Sequence, residues 1–425
     1  MATAVQSVAV AGPAEGSLYS NISWTLAGNV VYAASQWLLL VALAKMGRPE
    51  QVGELALGLA ITGPLFVASQ LHLRGVQATD AVQEFPFSDY LGLRWISTAL
   101  VIVIAAALAV TYRASLAMII VAIGVARGFD NISDIYYGAL QQQERMARMG
   151  KSMMLKGCLS VAGLIGAMTL TRSVAAVAAS LALVSALTFL LYDRRSVAFG
   201  RPDRVAVTVE PFRWNLRGCW KLFRLALPLT IVLVLVSLNL NVPRYFVEHA
   251  RGEAELGVFA ALSYLIVAGN LVVNACGQAT APKLAKLYAE GSLRRFWGML
   301  TILLGISAVC GLIGIVAVAL AGERIVTLVY SAAYAPYASL LSGLMIAATL
   351  LYAGQFLGYG MTAARIFRAQ VPLFILVLGA TAAACALLIP RYGLQGAVTG
   401  MIAGFSVQCL GSAAILVRAR PAHKE

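Results

Sequence analysis

Three ionisable residues follow directly on an apolar run. Leu116 to Ala126 leads into Arg127-Gly-Phe-Asp-Asn-Ile-Ser-Asp-Ile-Tyr-Tyr-Gly-Ala-Leu-Gln-Gln-Gln-Glu-Arg145. At 100° per residue, Arg127, Asp130, Asn131, Asp134, Gly138, Gln141 and Arg145 fall within about 60° of one line. Phe129, Ile132, Tyr136 and Leu140 take the opposite face. The segment reads as a helix with a narrow ionised stripe. A guanidinium fork suits phosphate oxygens, so Arg127 is a candidate contact for a phosphorylated ligand. Asp130 and Asp134 are candidates for orienting it or for carrying a coupling proton, since two acids beside one base leave net negative charge. The competing expectation is an internal Arg–Asp cluster that only holds this helix to its neighbours.

The elements that position this stripe are membrane helices. The chain has 425 residues, 60% hydrophobic and 12% charged, with a mean hydropathy of +0.82. A water-soluble domain cannot cover so much apolar surface. The apolar runs are continuous rather than alternating, which selects helices over a transmembrane barrel. Twelve spans are expected, at about 22–44, 54–73, 91–112, 114–140, 152–171, 174–192, 222–247, 255–280, 297–321, 338–364, 370–390 and 395–417. The expected organisation is all-α: a tail (1–17), a six-helix bundle (18–192), an Arg-rich linker (193–221), a second six-helix bundle (222–418) and a tail (419–425). The first 17 residues hold no Lys or Arg, so no signal-peptide n-region is expected.

Charge sets the orientation. Of 32 Lys and Arg, 23 fall after spans 2, 4, 6, 8 and 10 and at the C-terminus, whereas 8 fall on the other face. This bias predicts that both termini are cytoplasmic. The net charge of +14 is read as orientation and contact with anionic lipid, not as nucleic-acid binding. Val52-Gly53-Glu54-Leu55-Ala56 and Leu256-Gly257-Val258-Phe259-Ala260 open the second span of each half. Six spans per half is an even number, so the halves form a parallel repeat about an axis along the membrane normal.

Other ionisable and polar span residues are candidates because burial in lipid costs them several kcal/mol, about 3 on insertion scales, unless they are paired or solvated. Arg74 ends span 2 and is either a gate contact for phosphate or a snorkelling flank. Arg365 and Arg368 divide the same way. Arg244 follows Asn239, Asn241 and Pro243, where a proline could open a kink lined by amides. Asn239, Asn270, Asn274 and Gln278 could bond sugar hydroxyls or serve as interhelical glue. Tyr264, Tyr352 and Tyr359 could stack on sugar rings or simply pack.

Several chemistries are excluded. Gly150-Lys151-Ser152 resembles the end of a phosphate-binding loop, but position 145 is Arg where that loop needs Gly. Energy is therefore expected from an ion or substrate gradient. His72, His249 and His423 lack ligand-spaced partners, and the six cysteines have neither metal nor disulfide spacing, so no metal and no cofactor is expected. A membrane polymerase or ligase would need a large outward loop, and none is present.

Lys45-Met-Gly-Arg-Pro-Glu50-Gln-Val-Gly53-Glu-Leu-Ala56 resembles the first loop and second-span start of bacterial polysaccharide flippases, with Met46 and Leu55 departing from the usual Leu and aromatic. Leu73-Arg74-Gly75, Phe223-Arg-Leu-Ala-Leu-Pro228, Thr280-Ala-Pro282, and Glu323 to Tyr330 with Tyr334-Ala-Pro-Tyr-Ala338 are similar to later motifs of that family, the last to a re-entrant segment. The superfamily also holds MATE-type multidrug exporters and the peptidoglycan-precursor flippase. The resemblance implies two six-helix bundles around a cavity, alternating access, and an isoprenoid-diphosphate-linked oligosaccharide as substrate at the bacterial inner membrane. Other polysaccharide-assembly membrane proteins would be its partners. A cation-coupled exporter of small amphiphiles is the alternative, and a negative cavity would favour it.

Overall fold

A computed structural model describes residues 18–80, 84–143, 145–198 and 215–418. The expected tails 1–17 and 419–425, and most of the expected linker, lie outside the described residues. Among the described residues fourteen α-helices follow one another: α1 (Leu18–Met46), α2 (Pro49–Gln70), α3 (Leu73–Thr79), α4 (Phe87–Ala109), α5 (Ala114–Gln142), α6 (Met146–Thr171), α7 (Val174–Thr188), α8 (Arg194–Ala198), α9 (Leu216–Ser263), α10 (Leu265–Ala289), α11 (Leu293–Val329), α12 (Leu340–Ala363), α13 (Gln370–Tyr392) and α14 (Leu394–Arg418). Among the described residues there is no strand. In lipid this is the arrangement that closes every backbone hydrogen bond within its own segment.

Eleven of these helical segments are long and apolar enough to cross a membrane. The twelfth expected span is present in another form. α9 has 48 residues, about 72 Å if straight and twice the hydrocarbon thickness. It stays helical through Pro228 and Pro243 and leaves the helical region at Gly252, with φ 82° and ψ −179°. Only glycine adopts that conformation without a steric penalty. Gly252 lies in the loop expected between spans seven and eight, and at Pro243 the backbone keeps helical φ/ψ. The leg after it, with α10, forms span eight.

The two bundles pack by the same plan. In the first, α1 lies on α6, α2 on α4 and α5, α4 on α5, and α7 on α5 and α6. In the second, α9 lies on α13, α10 on α11 and α12, α11 on α12, and α14 on α12 and α13. These are the same span pairs, six spans apart. The bundles meet chiefly along α2 and α9. The outer faces are apolar as well as the core: Leu100, Val103, Leu170, Ile302, Leu312 and Leu410 are all exposed. This is a surface built for lipid.

α11 also breaks, at Ala321 (φ −143°, ψ 18°). A short leg, 322–329, and a 3₁₀ turn, Ala332–Tyr337, follow it. Tyr330 anchors this segment by donating to the Ala261 carbonyl at 2.6 Å. The segment resembling a re-entrant motif is thus a helix end and turn, not a separate span.

Candidate functional site

α5 is the axis of the site, because four other helices reach its polar stripe. From α2, Gln70 donates to Asn131 Oδ1 at 3.2 Å, and Asn131 in turn donates to Ser69 Oγ. α3 supplies Arg74, which holds Asp134 at 3.3 Å and Gln141 at 3.4 Å. α4 contributes Arg94, whose guanidinium meets Asp134 Oδ2 at 3.2 Å and is 0% exposed. Arg94 also donates to the Ser69 carbonyl at 3.3 Å. Finally, Lys156 from α6 meets Asp130 at 2.8 Å. The stripe ends at Gln142 with the helix. Arg145, expected on the same line, instead precedes the first residue of α6.

A second layer lies beside the first. Between α7 and α8 the backbone makes one π-helical turn, Phe189–Asp193, which shifts the helix register by a residue. Phe189 then packs on Phe129 and Tyr136, the apolar face of α5, with ring centres 6.0 Å and 5.6 Å away. Asp193 turns inward and is buried. It accepts a bond from Ser152 and one from Tyr137 at 3.4 Å. Arg74 and Lys156 both lie over the Tyr137 ring, at 5.8 Å and 5.9 Å. Cations so placed are attracted to the ring face. Asp193, expected to begin the linker, is thus part of the interior.

This arrangement corrects the expected charge balance. Both acids of the stripe have basic partners, and neither partner is Arg127. Among the described residues no carboxylate stands within ion-pair distance of Arg127. Its Nε is buried with no hydrogen-bond partner. Around the α5 stripe four cations (Arg74, Arg94, Arg127 and Lys156) stand with three carboxylates (Asp130, Asp134 and Asp193), so this group carries one excess positive charge, the buried Asp89 of α4 lying apart from it beside Asn215. The expected excess was negative, and the expected Arg127–Asp cluster is absent.

The second-bundle candidates separate. Asn239 is buried and accepts from Thr381 of α13 at 2.6 Å, so its oxygen is committed to holding α9 on α13. Arg365 is exposed in the turn after α12, with φ 57°, and belongs to the helix-end flank. Asn270 and Asn274 are half-buried on α10; Asn274 bonds Asn270 at 3.4 Å and accepts from Tyr359 of α12 at 3.3 Å. Tyr352 is committed to the Ile266 carbonyl, and Gln278 is exposed. Arg244 donates to Asn241 at 3.1 Å and lies 5.9 Å over Tyr264. Tyr32 of α1 stands within electrostatic range of Arg127, Asp130, Lys156 and Tyr264.

Arg94, Lys156 and Asp193 belong to the candidate site but were not singled out from the sequence. Lys156 lies within expected span 5 and Arg94 within expected span 3, and an ionisable residue inside a span was the available signal. The count of flanking charges absorbs both.

Among the described residues, eleven helices long and apolar enough to cross a membrane, in two like-packed bundles with an ionic interior in one of them, define a multi-pass membrane protein of a transporter architecture. Residues 18–288 match the family described as polysaccharide biosynthesis protein, and the chain belongs to that family. It is 24% identical over 381 residues to the capsular polysaccharide biosynthesis protein CapF of Staphylococcus aureus, covering 89% of this chain and 94% of that one. Among solved structures, a multidrug resistance MATE family transporter in an inward-facing conformation superposes with a TM-score of 0.73 at 14% identity, covering 91% of this chain and 94% of that one. The lipid II flippase MurJ superposes with a TM-score of 0.71 at 10% identity, covering 93% of this chain and 87% of that one. These two likenesses establish a shared fold.

Proposed function

We propose that this protein flips an isoprenoid-diphosphate-linked oligosaccharide across the bacterial inner membrane, from the face that carries most of its Lys and Arg to the other. The observation that carries this reading is Arg127, a half-buried guanidinium with no carboxylate partner among the described residues, in a stripe whose charges sum to one excess positive. A diphosphate brings about two negative charges into a site of low dielectric, and an uncompensated cation offsets that cost. Arg244, over Tyr264 in the second bundle, would complete the phosphate contact when the bundles move. Asn270, Asn274 and Tyr359 would bond sugar hydroxyls. Asp130 and Asp134 would couple to an ion by releasing Lys156 or the two arginines on protonation. A cation-binding exporter would be better served by a net negative interior.

Flipping of a lipid diphosphate oligosaccharide in reconstituted vesicles tests this. Wild type is expected to be fastest, Arg127→Lys slower and Arg127→Gln nearly inactive. Lys keeps the charge without the bidentate fork, whereas Gln loses the charge. Substrate affinity should fall by about 2–5 kcal/mol for Gln, the cost of truncating one side of a desolvated charge pair. Equal rates for all three proteins would remove Arg127 from the phosphate site.

A further inference from the structure

A cleft of about 400 Å³ opens on the basic face of the first bundle, outside the ionic interior. Arg148 and Lys151 of α6 form one wall; Leu191, Tyr192, Arg195 and Ser196 of the π-turn and α8 form the other. Three cations line it, and among the described residues no carboxylate does. Arg148 is held in place by a bond to the Ser196 carbonyl at 2.7 Å. Lys151 lies 5.2 Å over the ring of Trp24, an aromatic of the kind that marks the headgroup level of a bilayer. Toward the membrane interior the same helix exposes Leu187, Leu190 and Leu191. The site is therefore cationic at one end and apolar at the other, at the depth where headgroup meets acyl chain. Lys151 and Tyr192 are also the chain neighbours of Ser152 and Asp193, so the cleft stands back to back with the interior network.

We propose that this cleft binds the phosphodiester headgroup of an anionic phospholipid, with an acyl chain along Leu187, Leu190 and Leu191. Three cations offer one phosphate more charge than a zwitterionic headgroup can neutralise, which selects lipids of net negative charge. The apolar end separates a lipid from free phosphate, which has nothing to place there.

The test is native mass spectrometry of the full chain titrated with phosphatidylglycerol or with phosphatidylcholine of the same chain length. Phosphatidylglycerol should bind at one site at least tenfold more tightly. Arg148→Gln, Lys151→Gln and Arg195→Gln should each weaken it about fivefold, the equivalent of about 1 kcal/mol per cation. Because Arg148 also supports Ser196, the double variant Lys151→Gln/Arg195→Gln keeps that bond and should lose about 25-fold. Arg148→Lys/Arg195→Lys should retain most binding, and Leu191→Ser should weaken it. The exposed cations Lys283, Arg294 and Arg295 on the same face of the second bundle are the control, and their joint change to Gln should leave this site unaffected. Equal binding of the two lipids, or equal losses for the two sets of variants, would overturn the proposal. Displacement of phosphatidylglycerol by millimolar inorganic phosphate would make this a free-phosphate site and overturn it equally.

Discussion

Gly53 and Gly257 occupy equivalent places in one reciprocal contact. A Cβ on Gly53 would fall 1.9 Å from the Glu253 carbonyl oxygen, and a Cβ on Gly257 would fall 1.9 Å from the Pro49 carbonyl oxygen. Glu253 stands four residues before Gly257, and Pro49 four before Gly53. If i meets j−4, j meets i−4, which is what a two-fold axis between two helices produces. These are the glycines of the pentapeptides that open the second span of each half. Their spacing is a condition of close backbone approach, so the weak sequence repeat has a packing cause.

Gly53→Ala and Gly257→Ala should each lower the melting temperature of the detergent-purified protein, with a cost of about 1–3 kcal/mol for overpacking against backbone. A carbonyl cannot swing aside as a side chain can, so the helices must separate. The shift that relieves one alanine relieves the other, and the double variant should cost less than the sum of the singles. Strict additivity would show that the two contacts are independent and that no shared axis runs between them.

Arg113 spans the same seam. It meets Glu54 at 2.6 Å and Glu253 more closely still, so one guanidinium ties α2 of the first bundle to α9 of the second. The side chain is 54% exposed, which limits the bridge to about 1 kcal/mol. Removing it leaves two carboxylates facing each other. Arg113→Gln should therefore raise the labelling rate of a cysteine that replaces the buried Val52, next to Gly53, and adding Glu54→Gln should bring the rate back. An unchanged rate in Arg113→Gln would show that the glycine contact alone holds the seam.

The orientation expected from charge is open to direct measurement. A cysteine at Gly291, in the turn between α10 and α11, should react only with reagent on the cytoplasmic side. One at Gly252 should react only from outside. The reverse pattern would invert the direction of transport proposed above.

Helix number, bundle pairing and the α5 stripe were legible because each rests on local periodicity and length. The ion pairs were not. Lys156 is buried against Asp130, yet in a tally of flanking charges it looks like any lysine near a helix end. α6 begins at Met146, six residues before the expected span, and that extra length carries Lys156 inward. Arg94 was lost in the same way on α4. The facing of Asn239 toward Thr381, rather than toward the space between the bundles, depends on helix rotation, which an apolar sequence without a clear polar face does not encode. Asp193 depended on the π-turn, a one-residue register shift with no signature in residue type.

The ionic interior makes a last prediction, which separates residues that hold the bundle from the one that is free of it. Arg94 is fully buried, and its charge is balanced through Asp134. Asp134→Asn leaves that guanidinium, and Arg74 beside it, without a carboxylate. Breaking one side of a buried pair costs about 3–5 kcal/mol, because the remaining charge is stranded. Arg127 has no such partner, so Arg127→Gln should change thermal stability by no more than about 0.5 kcal/mol. The informative protein is Arg127→Gln/Asp130→Asn/Asp134→Asn. If Arg127 neutralised the two acids, removing all three charges together would restore stability and flipping. With Lys156 and Arg94 as the real partners, the triple variant should be at least as unstable as Asp134→Asn alone and should not flip. Melting curves for the three proteins, measured beside their flipping rates, decide this. Recovery in the triple variant would return Arg127 to a structural role and withdraw its assignment to the diphosphate.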